Sequence, residues 1–124
     1  MSETLLVVSN LPDAASARTL AEALIDQRLA ACVNILAPCT SVYRWQDEIE
    51  HASEYPLLIK TTATAYPALE RCIRHLHPYE LPEIIAVSVE HGLPAYLAWV
   101  AGETAASSAT SSVTTPASDD TPID

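Results

Sequence analysis

The sequence predicts an α+β subunit, a ferredoxin-like βαββαβ sandwich followed by a C-terminal helix. Three observations carry that expectation. Apolar runs of strand length recur near 4–9, 31–36, 55–61 and 84–89, and a near-continuous run of this kind fits a strand covered on both faces. Apolar stripes at helical spacing separate the first run from the second and the third from the fourth. The two middle runs follow one another across a short acidic segment, as in a hairpin. Two right-handed crossovers around a central hairpin place both helices on one face of a four-stranded antiparallel sheet. The other face then lacks a cover from the same chain, so a partner chain is expected to supply one.

Taken in order, Thr4 to Ser9 forms the first strand. Asp13 can cap a helix in which Ala17, Leu20, Ala21, Leu24 and Ile25 share a stripe and Arg18, Glu22 and Asp26 mark the wet side. That helix is expected to end near Leu29. Alternation over Ala31 to Leu36 reads as a strand, and the extended pattern resumes after Pro38 at Ser41 to Trp45. Asp47, Glu48 and Glu50 mark a turn, and Asp47 to Glu54, with His51, reads as a solvated hairpin tip, since it lacks the pattern and glycine of a calcium loop. Tyr55 to Thr61 is the next strand, expected to pair antiparallel with 39–46, and Pro56 suggests an edge or a bulge at its start. Thr64 is a candidate cap for the second helix, with Pro67 in its first turn and Leu69, Cys72, Ile73 and Leu76 on its apolar side. Pro78 stops it. Ile84 to Val89 is the last strand, and Pro94 opens a short helix that puts Tyr96, Trp99 and Val100 on one side.

Composition divides the chain once, after Gly102. Residues 1–102 make one domain, while 103–124, almost wholly Ser, Thr, Ala, Pro and Asp, are expected to form a disordered acidic tail. Sixteen acidic residues against six basic ones give a net charge of −10. That balance excludes nucleic acid and anionic membranes as partners, because both are held by clustered Lys and Arg. The start of the chain has no basic n-region and no long apolar stretch, so a cytoplasmic protein is expected. Two glycines in all rule out the dinucleotide fingerprint and the phosphate-binding loop. Three cysteines without a CxxC pair fit reduced thiols, with Cys39 the exposed one.

The densest chemistry lies at Arg74 to Glu83, which reads RHLHPYELPE. His77, Glu80 and Glu83 offer imidazole and carboxylate donors suited to Cu(II) or Zn(II), and His75 joins them if His77 has left the helix before Pro78. The competing reading has these histidines capping helical carbonyls and Glu83 holding the turn. Lys60, the single lysine, sits in an otherwise apolar strand and is a candidate for a buried carboxylate partner or a bound anion. Tyr43 and Trp45 share one face of their strand and are expected to pack on a neighbouring subunit. No nucleophile elbow and no Ser, His and Asp arrangement is present; no reaction class emerges, and a non-enzymatic role is expected.

Several of these segments, in order, resemble the CutA divalent-cation tolerance family: Ala30-Ala31-Cys32-Val33-Asn34, Ser41-x-Tyr43-x-Trp45, Lys60-Thr61, His77-Pro78-Tyr79-Glu80-x-Pro82-Glu83-Ile84 and Tyr96-Leu97-x-Trp99. The resemblance implies a ferredoxin-like subunit assembled as a homotrimer, a role in tolerance of copper and other divalent metals, and Cu(II) held by a cysteine at the end of the first strand and a His-His pair before Pro-Tyr. Ser9 stands at that cysteine position and Leu76 at the first histidine, leaving His77, with His75 as a substitute, for weak metal binding. Likeness of the family to PII signalling proteins implies the alternative, a trimeric sensor holding a small anion in inter-subunit clefts with Lys60, Tyr79, Glu80 and Glu83.

Overall fold

The computed structural model describes residues 2–109, with side chains through residue 104. The elements run β1 (Thr4–Leu11), α1 (Ala14–Asp26), β2 (Cys32–Ile35), β3 (Cys39–Trp45), β4 (Glu48–Thr62), α2 (Tyr66–Leu76), β5 (Ile85–Ser88) and α3 (Pro94–Ala109). The sheet order is β2-β4-β1-β5, with every neighbour antiparallel, and β3 pairs with β4 beyond that path.

The core lies between one sheet face and the paired helices. Val7 and Leu11 of β1 and Leu57 and Ile59 of β4 meet Leu20 and Leu24 of α1 and Leu69 and Ile73 of α2, all buried. Each such Leu or Ile contributes about 1.5–3 kcal/mol by leaving water. Asp13 starts α1, its carboxylate accepting from the Ser16 N–H at 2.7 Å. That bond, ahead of the Ser16 side chain, holds the Asp13 carboxyl below its ordinary 3.8. At the other end Arg28 adopts a positive φ of 59°, and the Leu29 N–H reaches back to the Leu24 carbonyl at 2.9 Å. This left-handed cap ends the helix at Asp26 and folds Leu29 onto the core, so the end expected at Leu29 is the end of the cap. α3 packs on β4 and β1 through buried Val100 and Thr104, where Thr104 meets Thr62.

Several expectations need correction. β4 is one strand of 15 residues, and the acidic stretch 48–54 is its outer half. The turn consists of Gln46 and Asp47 alone, both at positive φ (50° and 69°); a two-residue turn of this hand matches strand twist and sets Trp45 opposite Glu48. Consequently 39–45 pairs with 48–54, and 57–60 pairs with 32–35. Pro56 lies mid-strand, between β1 and the β2–β3 corner. Its carbonyl accepts from the Leu36 N–H at 2.9 Å, so its missing donor faces the same corner, where the β2 ladder has ended.

The remaining two corrections concern helix ends. Ala65, not Thr64, caps α2, and the acceptor for its N–H is Thr62 Oγ1 at 3.2 Å. Gly102 lies inside α3, which continues to Ala109 with Thr104 2% exposed. A Cβ at Gly102 would meet nothing within 4 Å, so this glycine marks an open helix surface and not a boundary. Of the tail expected over 103–124, residues 103–109 are therefore helical and 110–124 fall outside the described residues.

Candidate functional site

The chain leaves α2 through His77, whose N–H still bonds the Ile73 carbonyl at 2.8 Å. Its backbone is already extended (φ −71°, ψ 134°) because Pro78 disfavours the helical region for the residue before it. This swings the imidazole under the end of β1. The Nε2 edge bonds the Asn10 carbonyl at 2.6 Å, and Nδ1 accepts from the Tyr79 N–H at 3.1 Å. A ring that accepts at Nδ1 and faces a carbonyl at Nε2 is the neutral Nε2–H tautomer. Burial pushes His77 below its ordinary 6.5, against the opposing pulls of the Asn10 carbonyl and Glu54.

Tyr79 extends the network. Its hydroxyl donates to Glu54 Oε2 at 2.9 Å, and its ring lies 4.8 Å from that of His77. Burial first, then the Glu54 carboxylate, pushes the phenol up to about 12. Asn10 closes the circuit, its Nδ2 donating to Glu83 Oε1 at 3.0 Å. The end of β1 is thereby tied to both sides of the 77–84 turn.

Between this turn and the β3–β4 arm lies a cleft of about 810 Å³. The arm lines it with Ser41, Val42, Tyr43, Trp45 and Glu54; the turn lines it with Pro78, Tyr79, Glu80, Leu81 and Glu83, and Asn10 sits between them. Tyr43 and Trp45 are 44% and 42% exposed. Among the described residues no lysine or arginine lines the cleft.

The structure thus joins two groups that the sequence read apart: Tyr79, Glu80 and Glu83 share one cleft with Tyr43 and Trp45. Lys60 is not among them. It stands on the sheet face away from the core, in register with Cys32 and Leu6, donating to Asn34 Oδ1 and lying 4.0 Å from Cys32 Sγ. Its expected carboxylate is replaced there by an amide and a thiol. His75 is exposed on α2. Glu54 and Asn10 were missed, since their partners lie 25 to 73 residues away in sequence.

The donors do not fit a Cu(II) centre of the kind the resemblance implies. Ser9 is fully buried with a hydroxyl that has no hydrogen-bond partner, Leu76 is apolar, and both His77 nitrogens are engaged by main chain. Among the described residues no three His, Cys, Asp or Glu side chains are gathered as a metal would need. The three thiols form no disulfide, and no helix among the described residues is long and apolar enough to cross a membrane.

A family model described as "CutA1 divalent ion tolerance protein" matches residues 5–103. The chain belongs to the CutA1 family. It is similar to the divalent-cation tolerance protein CutA of Thermus thermophilus, 46% identical over 100 residues that cover 81% of this chain and 95% of that one. It is 45% identical to the human Protein CutA over 89 residues, spanning 72% of this chain and half of the human one. Among solved structures, CutA from Xylella fastidiosa superposes with a TM-score of 0.81 at 47% identity, over 83% of this chain and 99% of that one. The mixed α+β architecture, with one sheet and three helices among the described residues, matches the CutA1 structures.

Proposed function

We propose that this protein serves divalent-cation tolerance as a non-enzymatic homotrimer of ferredoxin-like subunits, and that it associates with divalent cations, Cu(II) among them, only weakly. The observation that carries the role is the tolerance-family match across residues 5–103. Weak association follows from the donor geometry. His77 offers a lone pair only by giving up the Tyr79 N–H, while exposed His75 and Glu80 compete with water for any ion. The antiparallel order β2-β4-β1-β5 supports the ferredoxin-like reading.

The trimer rests on uncovered apolar surface. Val42 and Ile49 are 60% and 63% exposed on the arm, which carries Tyr43 and Trp45 as well, and Ile85 and Val87 are bare on β5. A two-stranded ribbon holding so many apolar side chains is marginal in water unless another chain covers it. Tyr43 and Trp45 stand where arm and cleft meet, so a neighbour seated on the arm also roofs the cleft. Three reduced thiols suit the cytoplasm. An anion sensor of the PII type has no such support: the cleft carries Glu54, Glu80 and Glu83 without a lining cation, and Lys60 lies elsewhere.

The test is a calorimetric titration of metal-stripped protein with Cu(II), beside His77→Ala, with light scattering on the same samples. Shallow, non-saturating heats that His77→Ala leaves unchanged are expected, with a mass about three times the 13.3 kDa chain. A saturable site lost in His77→Ala would overturn the weak-binding part, and a monomer at micromolar concentration would overturn the trimer.

A further inference from the structure

We propose that Cys32 and Lys60 form an oxidant-sensitive pair, in which hydrogen peroxide converts the thiol to a sulfenic acid and the lysine amine then closes on the sulfur as a sulfenamide. The two residues stand directly opposite on β2 and β4. Cross-strand neighbours on one face are held side by side by the ladder itself, and the flexible Lys60 stem places Nζ 4.0 Å from Cys32 Sγ. Asn34, two residues on in β2 and so on the same face, accepts from the Lys60 amine and keeps it beside the thiol. Among the described residues no carboxylate is paired with Lys60, so the rival of the thiol for the amine is an uncharged amide.

The Tyr96 hydroxyl of α3 hydrogen-bonds the same sulfur, so the pair is flanked by a helix of its own chain. The surfaces that a neighbour is proposed to cover are the arm and the bare residues of β5. Cys32 and Lys60 begin the row that passes through Leu6 and ends at Val87, and β4 and β1 separate β2 from β5. Both residues are half-buried within the single chain. Hydrogen peroxide needs a path little wider than water does, so the reaction does not call for an open surface.

In the first step the thiol and hydrogen peroxide give sulfenic acid and water, sulfur losing two electrons to the O–O bond. In the second the amine nitrogen attacks that sulfur and the S–O bond breaks. Of the two protons the ammonium gives up, one leaves with the oxygen as water and the other passes to solvent. A dithiol returns the link to thiol and amine, whereas a sulfenic acid left open proceeds to the irreversible sulfinic acid. The pair therefore spares Cys32 and joins the edge strand β2 to β4 while oxidant persists. Cys39 has no amine beside it: its Sγ meets the Ser41 hydroxyl at 3.8 Å. All the residues invoked belong to one chain, so the inference rests on neither the trimer nor metal association.

The test exposes the full chain to hydrogen peroxide at neutral pH and maps its tryptic fragments by mass without reductant. Trypsin should cut after Arg28, Arg44 and Arg71 but not after Lys60, leaving 29–44 joined to 45–71. The joined fragment is expected about 2 Da below the two together, and dithiothreitol should part them and restore the cut at Lys60. Lys60→Arg, which keeps the charge, should lose the joined fragment and raise sulfinic acid at Cys32 several-fold, while Cys39→Ser leaves the link unchanged. Peroxide that oxidises Cys39 and leaves Cys32 a thiol overturns the proposal, as does a Cys32–Cys39 disulfide that leaves Lys60 open to trypsin. A joined fragment about 14 Da above the sum, with oxygen retained between nitrogen and sulfur, overturns it too. The parent chain alone decides these outcomes, so the test holds even where Lys60→Arg fails to fold.

Discussion

Replacing His77 by alanine tests whether this imidazole is a structural bridge. The ring is 7% exposed and joins two main-chain groups that come from distant parts of the chain, the Asn10 carbonyl at the end of β1 and the Tyr79 N–H in the turn. Alanine leaves both without their partner. Each orphaned group costs about 1–3 kcal/mol, reduced where water can enter, and Tyr79 is only half-buried. A loss of about 2–4 kcal/mol in urea unfolding at fixed protein concentration is expected. His77→Gln, whose amide both donates and accepts, should recover part of it.

Acid titration gives a second readout of the same residue. Because burial lowers the folded-state pKa below the ordinary 6.5, the unfolded chain takes up the proton first. The stability held by neutral His77 is therefore complete above pH 6.5 and is lost as pH falls from there through the lower folded value. His77→Ala should flatten the stability profile in that window. A variant within about 0.5 kcal/mol of the parent, the range of an ordinary surface substitution, or one with an unchanged acid profile, would refute the bridging role.

Other expectations follow from the same geometry. Thr61→Val removes the hydroxyl that donates to the buried Leu29 carbonyl at 2.6 Å and should cost about 1–3 kcal/mol by chemical denaturation; an unchanged midpoint would show that carbonyl to be satisfied otherwise. Ending the chain at Gly102 removes Thr104 from beside Thr62 and Glu103 from beside Arg28, and should lower stability by about 1–2 kcal/mol, read by thermal melting. Nearly all of that loss should persist at high salt, since the exposed Arg28–Glu103 pair contributes little. Asp47→Gly relieves a φ of 69° in the arm turn and should stabilise by about 0.5 kcal/mol, with a lower midpoint counting against the turn assignment. Alkaline titration should show Tyr79 protonated up to about 12; the stability it supplies is complete below 10 and disappears as pH rises through the folded value.

Elements with local signatures were legible in the sequence. Asp13 declares α1 by its cap, and Leu69, Cys72 and Ile73 declare α2 by their spacing, because both signals act within a turn or two of helix. The outer half of β4 was not legible. Its alternation carries acidic residues and has no core to face, so only the two-residue turn at Gln46 and Asp47 defines it, and neither residue is the glycine that usually announces such a turn. Gly102 misled in the opposite direction: the composition changes there while the helix does not.

The site shows the same limit. The RHLHPYELPE segment stands out by residue type, where the sequence suggests a metal ligand at His77, yet the partners of that ring are main-chain groups whose approach depends on sheet register. Glu54 had no signal at all. It sits in an acidic run that reads as solvated, and it is buried only because the arm and the turn converge on it.

The arm also bears on how the chain reaches its native state. Its hairpin closes between neighbours, Trp45 against Glu48, a contact available within microseconds. The ladders that anchor it join Thr4 to Thr62 and Leu5 to Ser88, and such non-local pairings form slowly. A refolding chain therefore displays Val42, Ile49 and Trp45 before any sheet exists to hold them. On the proposed trimer, recovery from denaturant should follow an optimum in chain concentration, with slow subunit encounter on the dilute side and loss to aggregates on the concentrated one.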